Sequence, residues 1–156
     1  MHRLILPALL LIASSALAGD LSGRAAKVHD GDTISLESGE TIRLWGIDAP
    51  ELEQSCTDQD DQPYACGERA KLAAKLLIGD QPVTCRQQDI DHGGQIVAQC
   101  ATSAGADLGA MLVITGWAVD DGQSSDGWYA PYQDQARERH AGLWAGTFQM
   151  PSERTP

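Results

Sequence analysis

Apolar and polar residues alternate along the first part of the chain. In TISLE (33–37) and ETIRLWGI (40–47), Ile34, Leu36, Ile42 and Leu44 recur at every second position, the spacing of strands with one buried face. LSGRAAKVH (21–29) reads as a strand before them, set off by an Asp-Gly turn, and Ser38-Gly39 supplies the hairpin between the next two. The period then lengthens. GERAKLAAKLLIG (67–79) places Leu72, Ala73, Leu76 and Leu77 on one helical face, with Gly79 set to cap its end. PVTCRQQ (82–88) and IVAQCAT (96–102) read as two further strands around a turn at Asp91-His92-Gly93-Gly94. ADLGAMLVITG follows, with Leu108, Met111, Leu112 and Thr115 at helix spacing behind Asp107 as N-cap. A last helix starts near Pro131, runs through QDQARERH and stops at Gly142.

Three strands, a helix, two strands and two helices make an α+β order. Five short strands with a helix between the third and fourth predict a five-stranded OB-type β-barrel carrying three α-helices. A fold of that kind hosts many chemistries, so function has to come from particular residues.

The chain opens MHRLILPALLLIASSALAGD: a short basic start, an apolar run from Leu4 to Ala13, and small residues at Ala16 and Ala18. This is the pattern of a cleaved secretory signal, and the run is too short to span a bilayer comfortably. The expected organisation is therefore a signal peptide over 1–18, one domain over 19–150, and a loose tail, PSERTP, over 151–156. Export to the periplasm or the medium follows as an expectation, as does a chain with no membrane segment after cleavage.

Four cysteines, Cys56, Cys66, Cys85 and Cys100, allow three pairings. A hairpin centred between His92 and Gly93 puts Cys85 and Cys100 face to face on adjacent strands, leaving Cys56 with Cys66 to staple a polar loop. A different turn register would offset the first pair by two residues. Zinc is not expected, because no Cys-x-x-Cys or Cys/His pair appears and an exported chain favours disulfides.

Charge complicates the picture. The formal net charge is −11, and loss of the signal would remove an arginine and no acid. Proteins that bind polyanions by counterion release carry a basic stripe, and none is visible here. Most of these carboxylates read as a solvated acidic surface.

The chemistry concentrates in VHDGDTISLESGETIRLWGIDAPE (28–51), which holds Asp30, Asp32, Arg43, Asp48 and Glu51. Singly, Asp30-Gly31 is a common turn pair, Asp48 a loop acid and Arg43 a strand cation. Together they meet at one end of the predicted barrel, because the hairpin at 38–39 returns the third strand beside the second. A hard cation such as Ca²⁺ takes several oxygen ligands, and a guanidinium suits phosphate. That combination points to hydrolysis of a phosphate ester.

HDGDTISL, IRLWGIDAPE, YACGERA, IVAQC, DLGAMLVITGWA and AGLWAG, in this order, resemble the thermonuclease, or staphylococcal nuclease-like, family over residues 21–148. DGDT followed by IRLxGIDAPE is a specific signature. The resemblance implies an OB-fold barrel with three helices and a Ca²⁺-dependent nuclease acting on DNA or RNA. It implies Asp32, Asp48 and the Ala49 carbonyl as metal ligands, with Asp30 supporting the metal loop. It also implies Glu51 as general base for the attacking water and Arg43 as one of two phosphate-binding arginines.

The second arginine is missing. A family pattern like Asp-x-Tyr-Gly-Arg-x-Val-Ala is replaced by DHGGQIVA (91–98), with Gln95 at the arginine position and Gly93 at the aromatic one. Glutamine keeps a hydrogen-bond donor but loses the charge and the five-donor fork. Removing one preorganised donor to a transition-state oxyanion costs about 10²–10³ in rate, roughly 3–4 kcal/mol. VDDGQSSDG occupies the region where the type enzyme places tyrosines near its nucleotide. His92, Arg86 and Lys27 are the nearby cationic or titratable substitutes, and none matches the family position. The expectation is a weakened exported phosphodiesterase, monomeric, acting on nucleic acid or a nucleotide. The alternative is a non-catalytic OB module that binds a nucleotide, an oligosaccharide or a protein.

Overall fold

The structure, a computed structural model, describes residues 19–150; the signal-like segment 1–18 and the tail 151–156 lie outside the described residues. The amino-terminal run forms β1 (Leu21–Gly23) and β2 (Ala25–Val28), interrupted at Arg24, and is followed by β3 (Thr33–Leu36) and β4 (Thr41–Leu44). After the short strands β5 (Ile47–Asp48), β6 (Cys56–Thr57) and β7 (Pro63–Tyr64) comes helix α1 (Cys66–Ile78). The hairpin β8 (Val83–Ile90) and β9 (Ile96–Ala101) leads into α2 (Leu108–Ile114), β10 (Val119–Asp120), α3 (Ala130–Glu138) and a final 3₁₀ turn at Gly142–Ala145.

The main sheet runs β1-β8-β9-β4-β3-β2. Its two outer members, β1 and β2, are one nearly continuous stretch of chain, so the first strand pairs with β8 at one end and β3 at the other. That closes the sheet on itself as five strand runs. β4 and β9 pair in parallel, Arg43 opposite Val97 and Leu44 opposite Ala98, because α1 carries the chain between them. This is the α+β OB barrel with three helices that the element order predicts.

Alternation sets the barrel interior. Ile34, Leu36, Ile42 and Leu44 point inward and are buried, together with Val83, Cys85, Ala98 and Cys100. Leu108, Leu112, Val113 and Tyr129 from the helices complete the core. Asp107 caps α2 as predicted, accepting the Ala110 N–H at 3.0 Å. Cys85 lies opposite Cys100, and the structure joins Cys85 to Cys100 and Cys56 to Cys66.

Three expectations need correction. The inward face of α1 is Ala70, Ala74 and Ile78, with Ala73 and Leu77 partly buried, while Leu72 and Leu76 stand 54% and 73% exposed. Where its first turn meets the Glu51 turn and Gly31 the helix comes so close that Gly67 and Ala70 are the residues beneath it, while Leu72 and Leu76 turn outward. The β8–β9 hairpin continues to Ile90, and a bulge between Gln87 and Asp89 shifts its register near the turn. α3 ends at Glu138, before the predicted stop: His140 takes φ 51° and the chain re-enters a 3₁₀ turn at Gly142. Among the described residues no helix is long and apolar enough to cross a membrane.

Candidate active site

Asp30 and Asp32 sit in the turn between β2 and β3. The Asp30 carboxylate accepts the N–H groups of Asp32 and Thr33 at 3.0 and 2.8 Å, which closes the turn locally. Asp32 faces inward and is buried. One of its oxygens accepts the Thr33 hydroxyl at 3.0 Å, and the other accepts the Ala49 N–H at 2.9 Å. Its own carbonyl accepts the Leu44 N–H at 2.8 Å. A single aspartate thus ties the first acid loop to the segment after β5, seventeen residues further on. Loss of water around Asp32 pushes its carboxyl up to about 7; the Asp30 charge adds to this, the Ala49 N–H and Arg43 oppose it, and Asp48 reinforces it.

Arg43 lies on β4 opposite Thr33 and Val97. Its Nη2 is 3.9 Å from Asp48 Oδ1, with the two side chains 39% and 24% exposed. At that separation the contact is an ion pair rather than a hydrogen bond, so the guanidinium keeps donors for another anion. Asp48 is held by the β5–β10 pairing, opposite Val119. Glu51 is exposed at the start of the turn that follows.

Arg43 borders a cleft of about 380 Å³ between the β4–β5 turn, the tip of the β8–β9 hairpin, and the loop after β10. Trp45 forms part of its wall and packs edge-on against the buried Tyr129, centroids 6.0 Å apart. The hairpin contributes Gln88, Asp89, Ile90, Asp91 and His92 to this wall, rather than Gln95. Gln95 instead closes the hairpin: its N–H donates to the Asp91 carboxylate at 2.9 Å, and its carbonyl accepts the Asp91 N–H at 2.9 Å. Strand alternation puts Gln95 on the same face as Val97 and Arg43. Of the three substitute residues only His92 reaches the cleft. Arg86 borders a different cavity with Asp107 and Gln99, and Lys27 is exposed on β2 opposite Ser35.

Two site-shaping residues are missed by sequence reasoning. Trp45 lies inside the signature IRLWGIDAPE, where its neighbours draw the attention. Tyr129 is wholly buried and its hydroxyl donates to the Asp107 carboxylate at 3.1 Å, with burial, then the Asp107 charge, raising its pKa. Nothing in its local sequence marks it as the support of a cleft wall.

A family model described as staphylococcal nuclease homologue matches residues 41–146. The chain belongs to that family. A succinoglycan biosynthesis protein, ExoI, of Rhizobium meliloti is 36% identical over 141 residues, covering 90% of this chain and 73% of its own. A protein of Escherichia coli named uncharacterized endonuclease is 30% identical, covering 96% of this chain and 94% of its own. Endonuclease YhcR of Bacillus subtilis is 29% identical over 85% of this chain and 12% of its own. Within this nuclease family the matched segment includes Arg43, Asp48, Ala49, Glu51 and Gln95. Asp30 and Asp32 precede it, and the bonds of Asp32 to Ala49 and Leu44 join them to it.

The family is generally calcium-dependent, and the residues here suit such an ion in donor chemistry. Asp32, Asp48 and the Ala49 carbonyl offer oxygen only, which is what a hard cation selects. Burial first, then the charges of Asp30 and Asp48, raises the Asp32 carboxyl against the Ala49 N–H and Arg43, which marks a place short of positive charge. Among the described residues no three His, Cys, Asp or Glu side chains converge on one point, so a backbone carbonyl and water would have to complete the coordination.

Proposed function

We propose that this chain is an exported, Ca²⁺-dependent phosphodiesterase that hydrolyses DNA or RNA, working more slowly than a two-arginine relative. The observation that carries this reading is the Asp32–Ala49 bond, which draws both acid loops together beside Arg43 at the edge of a cleft. Asp32, Asp48 and the Ala49 carbonyl would hold the calcium ion, which when bound offsets negative charge at the phosphate. Arg43 donates to phosphoryl oxygens and stabilises the charge that builds there. Glu51, exposed to solvent, accepts the proton of the attacking water. Gln95 leaves the second cationic position empty, which is the basis for expecting a low rate. Two disulfides in a short chain fit an oxidising compartment, the periplasm or the medium, and a monomer is the expected state.

The second reading is a non-catalytic module that binds a nucleotide, an oligosaccharide or a protein in the same cleft. Asp89, Asp91 and Asp121 in the cleft wall favour it, since they repel a polyanion. The kinship with a protein named for succinoglycan biosynthesis keeps an oligosaccharide among its ligands. An assay on residues 19–156 with single-stranded DNA and RNA, in calcium and in chelator, separates the two. Chelator-sensitive cleavage that disappears in Glu51→Gln supports the enzyme; a silent protein that still binds ligand supports the module.

A further inference from the structure

Glu51 opens a tight turn and is itself exposed. The Gln54 N–H donates to the Glu51 carbonyl at 2.8 Å, and Gln54 Oε1 accepts the Glu51 N–H at 3.3 Å. The first turn of α1 presses on this turn from outside. The Gly67 N–H donates to the Gln54 carbonyl at 3.2 Å. A Cβ at position 67 would stand 1.8 Å from the Glu51 carbonyl oxygen and 2.5 Å from that of Leu52, so no other residue fits there without moving the turn. Two residues past Gln54, Cys56 is bonded to Cys66, the residue next to Gly67. That disulfide sits in its own small core with Leu143, against Tyr64, Trp117 and Phe148.

The same stretch of helix reaches the other acid loop. A Cβ at Gly31, between Asp30 and Asp32, would lie 2.6 Å from Ala49 Cβ and 2.9 Å from Ala70 Cβ. One turn of α1, from Gly67 to Ala70, therefore contacts the turn that carries Glu51 and also the junction of Gly31 with Ala49. The separation between Glu51 and the acid loops is referenced to a single rigid element.

We infer that Gly67 and the Cys56–Cys66 disulfide are positioning elements for Glu51, clamping its turn to α1 so that its carboxylate meets the water at the phosphate. The inference rests on the nuclease reading above. The Cys85–Cys100 bond supplies the contrast: it joins the two adjacent barrel strands β8 and β9.

The test compares Gly67→Ala and the double variant Cys56→Ala/Cys66→Ala with the double variant Cys85→Ala/Cys100→Ala. Each is made alone and in a Glu51→Gln background, and all are assayed with calcium on a single-stranded DNA oligonucleotide, well below every unfolding midpoint. Both clamp variants should lower kcat roughly 10- to 100-fold, the scale of an ångström misplacement of a reacting group, with KM unchanged. In the Glu51→Gln background they should lower the residual kcat no further. The core pair should lower the melting temperature while holding kcat within about threefold, as a change remote from the reacting groups does. If Gly67→Ala does not fold, the cysteine pair carries the test alone. The clamp is overturned if kcat is unchanged, if only KM rises, if the loss persists in Glu51→Gln, or if the core pair matches it. A wild type without chelator-sensitive cleavage overturns the nuclease reading itself, and this role with it.

Discussion

The acid loops beyond Arg43 and the hairpin tip that lines the cleft are built differently. On the acid side, Asp30, Asp32, Asp48 and Glu51 come from loops braced by other elements: the Asp32–Ala49 bond, the β5–β10 pair, and α1 pressed against Gly31 and the Glu51 turn. On the hairpin side, the tip from Asp89 to Gln95 is braced mainly by itself. The Asp91 carboxylate accepts the N–H groups of Gly93 and Gln95, and Asp91 and Gln95 exchange backbone bonds. On the braced side the backbone is held by contacts from several elements. A residue on the self-closed tip can change its side chain and leave the backbone as it was. The resemblance expects the second arginine on the tip, where Gln95 stands, and matches the acids and Arg43 on the braced side.

Breaking the braced side at its chemical centre should have the largest effect. Glu51→Gln is expected to lower kcat about 10²–10⁴-fold, the usual worth of a general base, while calcium still shifts the melting temperature. An unchanged kcat would remove Glu51 from the reaction. On the hairpin side, Gln95→Arg is expected to raise kcat about 10²–10³-fold, because it would add a charged donor to the developing phosphoryl oxyanion. No gain would mean that a side chain at 95 does not reach the phosphate, in keeping with its place outside the cleft wall, and attention would pass to His92.

Charge on the braced side gives the next prediction. The Asp32 carboxyl, raised from 3.8 to about 7, favours folding when protonated. Without calcium its contribution is therefore greatest below pH 3.8 and is lost as the pH rises towards 7. Asp32→Asn in chelator at pH 8 should stabilise the fold by roughly 1–3 kcal/mol, and should abolish the calcium-induced rise in melting temperature. A destabilised variant would show that the hydrogen bonds of Asp32 outweigh its desolvation. The smallest effect is expected at the tip: Asp91→Ala should cost about 1 kcal/mol in denaturant unfolding, since it removes two turn bonds at a half-buried site. A loss several times larger would mean that the hairpin tip is coupled to the barrel after all.

Much of this was open to reading in the chain. Alternation at Ile34, Leu36, Ile42 and Leu44 predicts the strands, and equal spacing from the turn predicts the Cys85–Cys100 pair, because both depend on short-range periods. The face of α1 was misjudged for the opposite reason. Leu72 and Leu76 are larger apolar residues, yet Ala70 and Ala74 face inward with Ile78, since the first turn of the helix approaches Gly31 and the Glu51 turn closely. Trp45 and Tyr129 likewise became visible as cleft supports only once β4 and the start of α3 were seen side by side.

By itself the sequence determined the order of the elements, the family, the set of acids with Arg43, and the absence of an arginine at position 95. These are properties of residue identity and local spacing, and they do not depend on how distant segments meet. Only the tertiary structure decided that Asp32 bonds to Ala49, that His92 but neither Arg86 nor Lys27 reaches the cleft, and that Gly67 lies against Glu51. Each of those is a contact between segments far apart in the chain, set by barrel closure and by how near α1 can come to it.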